Sequence, residues 1–305
     1  MNLAKGFKQF LPKSIAELLS EYKLIYKTPY VSGTPSIISN IIRLSLVKIF
    51  LARKIILFYP HKPLPGTAIY KICLYLGYSI INDPTQEFDL AFKWQDSTFS
   101  SPDSLLRKLA NQTEVLNFNC SDISKNNVDA IFKNIFGYSS MVDPLSFRGK
   151  IVRKSNMNAT HDGKIIDSPI KETESGYIYQ KLINNEVDEN LVQDIRVTIF
   201  KDEIPYIVLK NRPIKNRFMN KSCSKISEVT DIFSQEEVEK IISFTQAIGL
   251  DYGDLDILRD KQDNKIYIID ANNTPWGLSV KSKSLEKIAL TKLSKSFERI
   301  FIARE

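Results

Sequence analysis

The chain has 305 residues, 43% hydrophobic and 25% charged, a balance that supports two or three packed subdomains and excludes a disordered polypeptide. Its formal charge of +7 favours anionic ligands such as nucleotides or acidic metabolites. Basic runs and aromatic platforms are missing, which argues against nucleic acid as a partner.

Cys73, Cys120 and Cys223 are odd in number, widely spaced and without a CxxC, so reduced, buried thiols in a cytoplasmic protein are expected. With only His61 and His161, a zinc site built on His and Cys is not. Chemistry in such a chain rests on carboxylates, lysine and arginine.

The opening MNLAKGFKQF has a charge every few residues and no apolar centre, so no secretory signal is expected. Residues 1–53 read as a peripheral helical extension, with a capping-box pattern at Ser14 and Glu17 and a turn at Ser32–Pro35. The most apolar stretch, Ser36 to Pro60, is interrupted by Arg43, Lys48, Arg53 and Lys54. It falls short of the roughly 20 unbroken apolar residues that span a bilayer, so an amphipathic helix running into a strand is predicted, with no transmembrane segment. KIILFY, the helical pattern TAIYKICLYLG ending at Gly77, and the strand patterns YSII and DLAFKW follow. Strand, helix and strand in that order predict a small α/β domain with parallel strands over 54–121.

From residue 122 the pattern gives a helix, NNVDAIFKNIFG, stopping at Gly137, then a strand GKIVRK, a polar loop SNMNATHDGK and a strand IYQKLI. QDIRVTIFKDEIPYIVLKNRP alternates as an antiparallel pair turning at Lys201–Glu203. The helix SQEEVEKIISFTQAIG has Ser234 as N-cap, acidic residues in its first turn and an end near Gly249. A hairpin over Tyr252–Asn272 and a basic helix close the chain.

That hairpin carries the strongest chemical signal. If GDLDILRDKQDNKIYIIDAN turns around Asp263-Asn264, Asp256 faces Asp270 and Asp254 faces Asn272. Residues two apart share a strand face, so these four project together, with Leu255, Ile257, Ile269 and Ala271 on the other side. Opposed carboxylates destabilise a sheet, so a cation is expected between them. Oxygen-only ligands that include an amide suit Mg²⁺, with Asp256, Asp270 and Asn272 as its ligands. A solvated acidic edge followed by an Asn-Asn-Thr-Pro turn is the plainer alternative.

Asp256 followed, after 13 residues, by Asp270-x-Asn272-x-x-Pro275 resembles the signature of the ATP-grasp superfamily, in particular its carboxylate–amine ligases. The resemblance runs from about Lys125 to Gly277 in the family's order. It implies an α/β (α+β) ATP-grasp fold over 122–305, with a lid subdomain at about 122–180 and nucleotide held between two antiparallel-sheet lobes. It further implies Lys125 and Lys154 on the phosphates, Gln180, Lys181 and Ile183 at adenine, and Glu186 or Asp188 at the ribose. Asp194-Ile-Arg196 resembles the family's DIR strand, which puts Arg196 at the substrate or γ-phosphate and joins it to Lys154 as the expected catalytic pair. Arg212 and Arg217, in KNRPIKNRF, are expected to clamp a substrate carboxylate or to lie in a solvated basic loop.

The implied activity is Mg·ATP-dependent, ADP-forming ligation of a small acidic substrate to an amine through an acyl-phosphate. A small-molecule kinase on the same fold and a nucleotide-binding protein without turnover are the alternatives, and homodimer assembly is left open. Two departures from the family stand out: Asp270 occupies a position where Glu is commoner, and the lid loop is Asn-rich with only Gly163.

Overall fold

The run IILFYP forms β1 (Ile55–Pro60), whose residues Ile56, Leu57 and Phe58 are buried in the centre of a sheet. The computed structural model describes residues 54–160, 162–218, 222–280 and 282–303. The expected N-terminal helical extension and His161 lie outside them. After β1 come α1 (Ala68–Leu76), β2 (Ser79–Ile81), β3 (Leu90–Trp94), α2 (Ser104–Ala110) and β4 (Val115–Leu116). Their strands pair in parallel, in the order β2-β1-β3-β4. The expected α/β layer is therefore present, extended by α2 and β4, which are too short to show a period in the sequence.

The next unit opens with α3 (Lys125–Phe136), capped by the Ser124 side chain. An antiparallel sheet of β5 (Gly149–Ser155), β6 (Lys164–Ser168) and β7 (Tyr177–Lys181) follows, in the order β6-β5-β7. The second antiparallel sheet holds β8 (Leu191–Phe200), β9 (Ile207–Pro213), β10 (Cys223–Ser227), β11 (Tyr252–Arg259) and β12 (Ile266–Asn272), in the order β10-β9-β8-β11-β12. Before β11 lies α4 (Gln235–Ile248), which begins with a full capping box between Ser234 and Glu237. The last α-helix described is α5 (Lys283–Phe297), continued by a π-helical turn over Glu298–Ile302, and no described helix is long and apolar enough to cross a membrane.

Alternation on the five-stranded sheet separates its two faces. Ile195, Val197, Ile199, Leu255, Ile257 and Ala271 pack against Val128 and Phe132 of α3 and Ile241 and Phe244 of α4. At one end of the opposite face, Phe200, Tyr206, Val208 and Tyr252 join Phe58 and Phe92 of the parallel sheet and Leu293 and Phe297 of α5 in a second core. The rest of that face is polar. Asn117, fully buried just after β4, ties the two parts together: its Nδ2 donates to the Tyr252 carbonyl at 2.8 Å and its Oδ1 accepts from Tyr252 N at 2.9 Å. The start of β11, two residues before Asp254, is thus fixed to the parallel sheet.

One sequence expectation about thiols changes. Cys73 and Cys120 are buried, and burial pushes the Cys120 thiol up to about 12. Cys223 is exposed, because it begins β10 at the edge of its sheet.

Gly249 caps α4 at φ 75°, and a Cβ there would lie 2.6 Å from the Asn119 carbonyl carbon. Gly137 caps α3 at φ 81° with open space around it. Left-handed strain alone predicts a loss of about 1 kcal/mol for Gly137→Ala. Gly249→Ala adds an overpacking cost and is expected to lose about 3 kcal/mol, read as a larger fall in the urea midpoint.

Candidate functional site

A cleft of about 230 Å³ lies between the three-stranded sheet and the polar face of the five-stranded one. Lys154 of β5, Gln180 and Lys181 of β7, Asp194 of β8, Asp256 of β11 and Asp270 of β12 all line it. Lys125, the first residue of α3, closes one side.

The hairpin register at the site is the one that alternation predicted: Asp256 pairs with Asp270 and Asp254 with Asn272. Immediately beyond, the register shifts by one, and Ile257 pairs with Ile268. Ile269 is therefore the extra residue of a β-bulge: it lines the cleft beside Asp270 while still packing against the core beneath the sheet.

The expected cation between the carboxylates is in the first place a side chain of this protein. Arg196 sits opposite Asp256 on β8, with Nε 2.7 Å from Asp256 Oδ1 and Nη2 donating to Oδ2 at 3.0 Å. Its Nη1 reaches Asp254 Oδ2 at 3.4 Å, and Thr198 Oγ1 donates to Asp254 Oδ1 at 2.8 Å. Burial raises the Asp254 carboxyl above its usual range, with Arg196 opposing that shift.

Asp270 is held differently. Its Oδ1 is buried without a hydrogen-bond partner, and the nearest cation, Lys125 Nζ, stands 3.7 Å away. Desolvation raises its carboxyl, with Lys125 and Lys154 pulling the other way. Lys154 Nζ donates to the Ile269 carbonyl at 3.3 Å, and burial lowers its amine to about 8. An orphaned carboxylate oxygen beside a second carboxylate is an oxygen donor set that fits a hard divalent cation. Asn272 fits less freely, since its Oδ1 already accepts from Thr274 N at 2.9 Å, leaving one lone pair. Among the described residues no three His, Cys, Asp or Glu side chains converge on one metal position.

Other predicted residues divide. Gln180 and Ile183 are buried at the cleft, whereas Lys181 turns its amine to Tyr267 Oη at 2.5 Å and to Asp260 at 3.6 Å. Glu186 and Asp188 are not among the cleft-lining residues. Asp188 instead shapes a turn, accepting from Asn190 N and Leu191 N at 2.7 Å each. Arg212 is bound to Asp194, which also accepts from Asn185 Nδ2 at 3.0 Å, so it is not a free clamp. Arg217 does line the cleft; its Nε is buried without a partner, and burial lowers its guanidinium.

Pattern reading missed Lys210 and Asn158, and it named Asp194 only as part of the strand that carries Arg196. Asp194 shares a face with Arg196, and Lys210 pairs with Asp194 across β8 and β9, so alternation carried both once the turn was placed. Burial, followed by the charge of Arg196, lowers the Lys210 amine to about 8. Asn158 belongs to the Asn-rich loop between β5 and β6. Its Oδ1 and the Met157 carbonyl accept from Lys125 Nζ at 3.1 and 2.8 Å, and its Nδ2 donates to the Ala271 carbonyl at 3.0 Å. The loop thus lies against β12 through amide side chains, with Ala159 at φ 61° making the bend.

Two antiparallel sheets facing one another across a cleft of lysines and paired carboxylates make the ATP-grasp fold, and this chain has it. Among solved structures it is similar to the D-alanine–D-alanine ligase of Bacillus anthracis complexed with ATP, at 14% identity and a TM-score of 0.52, covering 82% of this chain and 98% of that one. Another structure of that enzyme matches at 13% identity and a TM-score of 0.50, over 81% and 99% of the two chains. The ATP-grasp ligase PsnB complexed with minimal precursor aligns at 13% identity and a TM-score of 0.45, over 80% and 100%. No family model matches the sequence, and no curated protein does.

Removing Arg196 leaves the Asp254 and Asp256 carboxylates without their partner in a largely desolvated site. Arg196→Met is expected to destabilise the fold by about 3–5 kcal/mol in urea titration.

Proposed function

We propose that the chain is a Mg·ATP-dependent ligase that activates a substrate carboxylate as an acyl-phosphate and joins it to an amine, releasing ADP and phosphate. The observation that carries this reading is the convergence of Lys125, Lys154, Asp256 and the orphaned Asp270 oxygen on one cleft between the two sheets. Nucleotide lies in that cleft, its base against Gln180 and Ile183 and its phosphates toward Lys154 and Lys125. Mg²⁺, when bound by Asp256 and Asp270 with the remaining lone pair of Asn272, neutralises charge on the β- and γ-phosphates.

The substrate carboxylate attacks the γ-phosphorus, and the bond to the β-phosphate oxygen breaks. The amine then attacks the acyl carbon, phosphate leaves, and the ammonium proton passes to solvent. Lys154 and Lys125 offset the charge of the moving phosphoryl group, so catalysis is positioning and electrostatics without a side-chain nucleophile. Arg196 keeps Asp256 in place more than it binds substrate, because its guanidinium is already shared by two carboxylates. Arg217, which lines the cleft and has no ion pair among the described residues, is the better candidate than Arg212 for the substrate's acid group.

A second reading, nucleotide binding without turnover, is favoured by Lys125, whose amine is occupied by the lid loop. ADP release from Mg·ATP in the presence of small acids, with and without added amine, separates ligase, kinase and binding protein.

Isothermal titration of Mg·ATP is expected to show Mg²⁺-dependent binding to the wild type and none to Asp270→Asn/Asn272→Ala. Because burial already disfavours the Asp270 charge, Asp270→Asn alone is expected to keep or raise the melting temperature while losing Mg²⁺-dependent binding. A merely structural carboxylate gives the reverse.

Lys154 adds a pH signature. Its amine falls from 10.5 to about 8 on folding, so phosphate, which needs the ammonium, binds more weakly as pH rises through about 8, and binding there takes up protons. The fold itself gains stability from this residue over the same rise, between about 8 and 10.5, because the unfolded chain holds the proton longer. Lys154→Arg is expected to flatten the pH dependence of nucleotide affinity, measured in buffers of different ionisation heat.

A further inference from the structure

Asp129, buried on α3, accepts three hydrogen bonds: from Ser139 Oγ at 2.5 Å, Ser140 N at 3.0 Å and Ser140 Oγ at 2.8 Å. A carboxylate only accepts, so the single proton of the Ser140 hydroxyl is committed to Asp129. Ser140 Oγ is then an acceptor for its other neighbour, Gln180, whose Nε2 donates to it at 2.7 Å.

A carboxamide has a donor end and an acceptor end. With Nε2 turned to Ser140, the Gln180 Oε1 is the end left over, and no described donor meets it. Gln180 lines the cleft. Backbone pairing holds the relay in place: Lys181 N donates to the Ser140 carbonyl at 2.8 Å, and Met141 bridges to Gln180. Ser140 is 1% exposed and Gln180 5%, so water cannot replace the missing bond if the amide turns over. A flipped amide sets its oxygen against a hydroxyl oxygen whose proton points elsewhere, which leaves two buried acceptors face to face.

We infer that Asp129 and Ser140 are positioning residues that fix the direction of the Gln180 carboxamide, and that the cleft thereby selects a purine with a 6-amino group over one with a 6-oxo group. The inference rests on the nucleotide reading above, which puts the base at β7. A 6-amino group donates to the waiting Oε1, whereas a 6-oxo group meets it oxygen to oxygen. The discrimination comes from a proton order set two residues back from the ligand, on α3 and in the segment after it.

The test is isothermal titration of Mg·ATP and Mg·ITP into the full chain, with the ratio of the two dissociation constants as the readout. Wild type is expected to favour ATP by about tenfold or more, the scale of a hydrogen bond lost from a buried acceptor. Ser140→Ala frees the amide to turn and is expected to bring the ratio close to one. Ser140→Ala/Gln180→Glu is expected to restore the ATP preference, because a carboxylate presents an oxygen whichever way it turns; general loosening of the fold does not predict that rescue.

A Ser140→Ala variant that weakens both nucleotides equally, or a double variant that fails to restore the preference, overturns the relay while leaving the nucleotide site standing. A wild type that binds ATP and ITP alike overturns the selectivity. A wild type that binds neither overturns the nucleotide reading and this inference with it.

Discussion

A guanidinium shared by two carboxylates in the middle of an antiparallel sheet governs how this site is built. Asp254 and Asp256 stand two residues apart on β11 and face the same way, and Asp270 faces Asp256 across the hairpin. Arg196, entering from β8 on the other side of β11, binds the first two and leaves the third to Lys125 and Lys154. The sheet tolerates this density of acid because each carboxylate has a cation of the protein nearby. The arrangement also divides labour. Asp254 is consumed by Arg196 and Thr198, Asp256 is anchored, and Asp270 keeps an oxygen without a donor. Of the three, only Asp270 has a buried oxygen that no described donor meets.

The β-bulge at Ile269 is the geometric counterpart. A regular hairpin turns Ile269 toward α3 and α4 with the other apolar residues. With one extra residue there, Ile269 keeps contact with that core yet also lines the cleft next to Asp270, and its carbonyl accepts from Lys154 Nζ across the gap between the sheets. The irregularity thus brings the lysine of the three-stranded sheet to the carboxylates of the five-stranded one. Bulges collect at active sites for this reason, since they re-aim a side chain without breaking the strand.

The loop over the site departs from a glycine-rich lid in composition and in the way it is held. Glycine-rich loops close through backbone N–H groups, whereas here Asn156 and Asn158 supply side-chain amides. Asn156 Oδ1 accepts from Asn126 N at the start of α3, and Asn158 reaches Lys125 and β12. Asn158 N also donates to Thr98 Oγ1 in the parallel-sheet unit. Loop, helix start and hairpin end are one hydrogen-bonded body, with the Lys125 amine inside it. Any anion reaching the Lys125 amine would have to compete with the loop's own oxygens.

The sequence by itself determined the longer elements, though not α2, β4, β6 or β10, and the acidic hairpin. Period-two alternation in GDLDILR and IYIIDAN, with a turn of polar residues between them, leaves one register that buries Leu255 and Ala271, and that register opposes Asp256 to Asp270. Capping signals at Ser234, Gly137 and Gly249 were equally local, and so were the apolar runs of β1 and β3. Tertiary structure decided what those side chains meet. That Arg196 is shared by Asp254 and Asp256, that Arg212 is taken by Asp194, and that Asp188 serves a turn all follow from strand order and distance. Composition and spacing along the chain do not encode these contacts. The bulge at Ile269 and the Asp129–Ser140–Gln180 relay are also tertiary. Each depends on packing between segments 11 or more residues apart, where a local pattern carries no record of which neighbour donates the proton.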